Sequence, residues 1–245
     1  GVAHRLLWSA VSEARVNTGD PVGGLAAARR SLAAGEARGQ TDDELVRPLG
    51  LACMCAITGE PDAVEGFADR LAGVAAQAPS EVNITAAANA AGYVLLARGE
   101  ADAALEAYRQ MDALGRGIPH LQGVALKNMA VAASQLALTP RAEGSTTFVD
   151  ALDHVYRGRM WSLVWIVLEA LAVFWARSER PLDAAVILGY LDRHGRANGV
   201  LLDGRRQALD VLQGVPGADA AGTEGAAMTR DDLVEFALGG LSGCA

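Results

Sequence analysis

Residues Met160 to Ala176 read MWSLVWIVLEALAVFWA and run straight into Arg177-Ser-Glu-Arg-Pro181. Fifteen of these residues are apolar, and only Ser162 and Glu169 are polar. Wound at about 3.6 residues per turn, the segment is apolar on every side, so other elements or lipid must enclose it. Lipid is the weaker choice. The run is slightly short of the ~18 to 20 residues a span needs, it carries a carboxylate near its centre, and no second such run exists. It therefore reads as the buried first helix of a helix–turn–helix pair, with Pro181 to His194 as the returning helix.

Working outward, the same unit recurs. Thr18-Gly-Asp-Pro21, Thr58-Gly-Glu-Pro61 and Arg98-Gly-Glu-Ala-Asp102 each precede an Ala-rich apolar run, and Gly19, Gly59 and Gly99 stand 40 and 40 residues apart. At the same interval follow Leu138-Thr139-Pro140 and Ser178-Glu179-Arg180-Pro181. In each turn Gly would supply the left-handed conformation that ends one helix, and Asp or Glu would cap the next. Pro in the first turn costs nothing, because its missing N–H would be unpaired there anyway.

The pattern predicts first helices over 4–18, 42–58, 81–98, 119–138 and 159–177. Second helices are predicted over 21–36, 61–77, 100–115, 145–157 and 181–194. Pro48 falls inside the second first-helix, which should start late or kink there. No alternating strand pattern is present. The fold class is therefore all-α: a right-handed α-solenoid of five helical hairpins over 1–195, in which each unit buries its apolar faces against neighbours. Residues 196–245 read as a cap. They comprise a helix over 197–213 with a polar Arg205-Arg206 face, a Gly/Ala-rich loop over 214–228, and a short helix to about Gly239 opened by Thr229-Arg-Asp-Asp232.

Composition narrows function. Net charge is −8, and Lys127 is the only lysine. An acidic chain lacks the cationic surface that phosphate contacts need, so direct nucleic-acid binding is not expected, and neither is a membrane partner. Cys53 and Cys55 lie two apart on a helix, pointing about 200° away from each other, and cannot close on one metal ion. With Cys244 they make an odd number without a disulfide framework, which fits a reducing, cytoplasmic setting. The opening Gly-Val-Ala-His, without Met, reads as part of a longer chain.

No phosphate loop, nucleophile elbow, H-E-x-x-H or C-x-x-C motif occurs, so no catalytic residue, cofactor or metal site is expected. Asp150 and His154 share a helix face but lack a third ligand. Trp161 and Trp165 lie one turn apart; with Trp175 they read as an aromatic ligand cage or as core. Asn89 and Glu169 are two periods apart, with Asn128 near the intermediate position. At similar phase on three first-helices, these polar groups form either a ladder along a ligand or partner groove, beside Trp161 and Trp165, or buried groups bonding neighbouring backbone.

Gly92, Ala104 and Tyr108 keep the small, small, aromatic spacing of the tetratricopeptide pattern, though the 40-residue period exceeds that family's usual ~34. The last part of the chain is more specific. Arg180-Pro-Leu-Asp-Ala-Ala-Val-Ile-Leu-Gly189, then Arg205-Arg206, then Gly225-Ala-Ala-Met-Thr-Arg-Asp-Asp-Leu-Val-Glu-Phe-Ala-Leu238 resembles the end of actinobacterial LuxR/MalT-type (STAND) regulatory ATPases, some of which carry an adenylate-cyclase-like domain. The resemblance implies a non-catalytic sensor region of a signal-transduction ATPase or LuxR-type transcriptional regulator. Such a region binds a small-molecule inducer or protein partner and controls an ATPase module upstream in the same polypeptide. The alternative is a free-standing tetratricopeptide-like adaptor that binds protein segments in its groove.

Overall fold

The apolar run forms a helix over Trp161–Ala176 in the computed structural model, which describes residues 2–136 and 141–242. α-Helices and short 3-10 turns make up the regular structure, and no strand occurs among the described residues. The chain divides into two compact units, Gly1–Arg116 and Gly117–Ala245.

The first unit contains α1 (Val2–Val16), α2 (Pro21–Glu36), α3 (Val46–Gly59), α4 (Val64–Gln77), α5 (Glu81–Ala97) and α6 (Ala101–Leu114). Each helix packs on the next, and α3 also touches α1 and α5. The turn chemistry is only partly as expected. Gly19 and Gly99 adopt left-handed φ of 82° and 75°. Gly59 instead remains the last residue of α3. Asp20 caps α2, its Oδ1 accepting the Gly23 N–H at 2.8 Å. Glu60 and Glu100 make no such cap. Glu60 is drawn away into a two-pronged pair with Arg29, at 2.8 and 2.6 Å. α3 starts late, at Val46 behind a 3-10 turn over Asp42–Glu44, which places Pro48 in its first turn, where a missing N–H is harmless.

The tetratricopeptide-like spacing has a visible contact. A Cβ on Gly92 would fall 2.3 Å from the Tyr108 ring, and Ala104 and Tyr108 are fully buried. Close approach of α5 and α6 therefore depends on the absent side chain. Cys53 and Cys55 are buried, and desolvation pushes their thiols up to about 12 and about 11. Both act as small hydrophobes. Cys244 and the Leu138–Pro140 turn lie outside the described residues.

The second unit contains α7 (Pro119–Gln135), α8 (Arg141–Arg157), α9 (Trp161–Ala176), α10 (Pro181–Arg193), α11 (Leu202–Leu212), α12 (Ala218–Ala227) and α13 (Arg230–Ser242). α9 is the hub. It packs against α7, α8, α10 and α11, which is how a helix with no polar face avoids water. No helix among the described residues is long and apolar enough to cross a membrane.

The tail corrects one expectation. Residues 218–227, read as part of a Gly/Ala-rich loop, are helix α12, packed closely on α10. The glycines that suggested a loop permit this contact. A Cβ on Gly225 would sit 1.9 Å from the Val186 carbonyl oxygen, and one on Gly189 would sit 2.0 Å from that of Gly222. α13 opens as expected. Thr229 Oγ1 accepts the Asp232 N–H at 3.3 Å, and Asp232 accepts the Thr229 backbone N–H at 3.2 Å.

Candidate functional site

Of the two readings open for Glu169 and Asn128, groove lining or buried packing group, the structure gives the second. Glu169 is 2% exposed. Its Oε1 accepts from Arg205 Nη1 at 2.7 Å, and its Oε2 accepts the Asn198 backbone N–H at 2.7 Å. Arg205 also pairs with Asp192 at 2.5 Å and donates to the Arg196 carbonyl at 3.3 Å. Burial pushes the Glu169 carboxyl above its ordinary range, against the opposing pull of Arg205. The group that looked like a ligand contact holds α11 onto α9, and Arg205, read as part of a polar face, points inward. Asn128 is likewise buried, with its Oδ1 accepting from Lys127 Nζ. Burial lowers the Lys127 ammonium to about 7. Asn89 is half-buried on α5 of the first unit.

Trp161 and Trp165 behave differently. Both are half-buried and lie on one side of α9, one turn apart, with ring centroids 6.2 Å apart. Tyr156, at the end of α8, meets Trp161 edge-on at 5.7 Å. Trp165 stacks on Tyr190 of α10 at 5.7 Å and 24°. In an antiparallel hairpin, residues about equidistant from the turn lie side by side, and Trp165 and Tyr190 are so placed about Arg177–Arg180. Just past the end of α10, the His194 ring lies 4.3 Å from Tyr190. Trp175 stands apart. It is 1% exposed, meets Phe236 of α13 edge-on, and is covered by the Arg180 guanidinium at 4.4 Å. That ring is core.

Two guanidiniums border the aromatic row. Arg230, the first residue of α13, lies over the Trp161 ring at 3.7 Å, and Arg196, just past α10, lies over Trp165 at 5.8 Å. Desolvation pushes the Tyr190 hydroxyl up, while Arg230 and Arg196 both pull it down, so both charges reach the same ring. The result is a half-open floor of Tyr156, Trp161 and Trp165, backed by the buried Tyr190 ring, with a cationic edge. Rings and guanidiniums bind by stacking, cation–π attraction and charged hydrogen bonds, without a nucleophile or proton relay.

Sequence reasoning reached Trp161 and Trp165 but missed Tyr190, His194 and Arg230; Arg196 stood out only as one of the arginines of 141–206, among interleaved carboxylates. Tyr190 was recoverable from the hairpin register. Arg230 had no local signal, because the packing of α13 on α8 and α10 brings it there.

Other candidates offer less. His154 Nε2 donates to the Pro119 carbonyl at 3.0 Å. No group of three or more His, Cys, Asp or Glu suited to a metal ion occurs among the described residues. A groove of about 640 Å³ lies between α10, α11 and α12, lined by Leu188, Gly189, Asp192, Leu212, Asp219 and neighbours. The chain matches no family model, no curated protein and no solved structure.

Proposed function

We propose that this chain is the non-catalytic sensor or protein-interaction region of a larger signal-transduction ATPase or LuxR-type regulator. In this reading its hairpins stack as a right-handed, tetratricopeptide-like solenoid. An inducer or partner binds the repeats, and the bound state controls a nucleotide-binding module upstream in the same polypeptide. The observation that carries the interaction role is the half-open Trp161–Trp165 pair, backed by Tyr190, with Arg196 and Arg230 at its edge. Rings and arginines that keep exposed area on a rigid helical scaffold suit recognition, where aromatic and Arg side chains dominate binding energy. The resemblance of the closing segments to the regulatory ATPases supplies the cellular context.

The test is nucleotide hydrolysis by the native polypeptide carrying Trp165→Leu, a change that keeps an apolar side chain but removes the stacking ring. The basal or induced rate should change by several-fold while the unfolding temperature moves little. An unchanged rate in a folded variant would remove Trp165 from the control surface.

A further inference from the structure

The aromatic row has interactions left to make, and their chemistry indicates what it binds. Arg230 uses Nε on Asp231 at 3.1 Å and one guanidinium face on Trp161. Among the described residues its two terminal amino groups make no hydrogen bond or ion pair, and its side chain is 45% exposed. Arg196 is exposed, and its guanidinium makes no hydrogen bond or ion pair among the described residues. The ring faces, by contrast, are already used: Trp161 by Arg230, and Trp165 by Tyr190 and Arg196. A cationic ligand would have to displace Arg230 from the best ring face. An anionic one adds to donors that have no other partner among the described residues, and guanidiniums bind carboxylates in two-pronged fashion.

We infer that the Trp161–Trp165–Tyr190 floor with Arg196 and Arg230 is a docking site for an acidic protein segment in which carboxylates alternate with aromatic side chains. The carboxylates meet the two guanidiniums, and the aromatic groups pack on the parts of the Trp161 and Trp165 indoles that remain exposed. Charge complementarity chooses this occupant over single-stranded nucleic acid. A polyphosphate backbone needs a row of cations to follow, whereas this face offers only two guanidiniums, over Trp161 and Trp165. The inference rests on reading this face as the binding surface. It does not depend on which ATPase, if any, the region controls.

The experiment is titration of the 245-residue chain, at low ionic strength, with a fluorescently labelled synthetic peptide of alternating Glu and Phe, followed by anisotropy. Binding with a Kd of about 10–100 µM is expected, weakening as salt is added. Arg196→Gln and Arg230→Gln should each weaken it about 5-fold, and the two together roughly 30-fold. Both side chains are exposed, so the variants should keep the parent circular-dichroism spectrum. No binding by the Glu/Phe peptide would overturn the proposal. So would equal or tighter binding by a Lys/Phe peptide or by oligothymidylate, or an unchanged affinity in the folded double variant. These results speak to the site alone; an unaltered hydrolysis rate in Trp165→Leu, with peptide binding normal in the parent chain and weakened in that variant, would instead count against the regulatory role.

Discussion

Glu169 shows how one residue changes meaning between sequence and structure. In the sequence it is the charged group in an otherwise apolar helix, and its phase matches Asn89 at two periods. Helical phase says which residues share a face, but nothing about what lies across from them. The facing group is Arg205, 36 positions later, and the pair is closed from water. Removing one partner of a buried pair leaves an uncompensated charge, at a cost of about 3–5 kcal/mol, whereas replacing both by apolar groups of similar size is often close to neutral. Denaturant unfolding should therefore show Glu169→Ala losing about that much, with Glu169→Met plus Arg205→Met recovering most of it. A loss below ~1 kcal/mol would mean the carboxylate is wet. The neighbouring Trp161 and Trp165 were legible because an i, i+4 aromatic pair shares a face in any helix. Their arginine edge was not, since its members come from α13 and from the segment after α10.

At the level of elements, turns were easier to read than helices made of small residues. The period of 40 located α1 to α6 within a few residues, because Gly and Pro punctuate backbone in a way tertiary packing rarely overrides. Residues 218–227 misled because Gly and Ala have two uses, in flexible connections and in close helix contacts. Only the neighbour distinguishes them, and that neighbour is α10. The distinction can be measured. Gly225→Ala places a methyl against the Val186 carbonyl and should cost about 1–3 kcal/mol despite alanine's better helix propensity. Gly50→Ala, in α3 with nothing within 4 Å of the new carbon, should instead stabilise by about 0.5–1 kcal/mol. Thermal unfolding of the two variants should shift in opposite directions; equal shifts would mean that α12 is not packed as described.

For the molecule as a whole, the all-helical class was legible from the missing strand pattern and the enclosed run at 160–176. The division into units 1–116 and 117–245 was not, because it follows from packing density, which leaves no mark in local sequence. Function divides the same way. Residue types and spacing offered no reaction chemistry, and the proposed recognition role rests on the aromatic–arginine face of the second unit. The role of that face depends on what else belongs to the polypeptide. The most direct measurement is therefore the intact mass of the native protein taken from its own cell. The account predicts a mass well above the 25.4 kDa of this chain, enough for an upstream nucleotide-binding module. A mass near 25.4 kDa would contradict it and leave a free-standing adaptor.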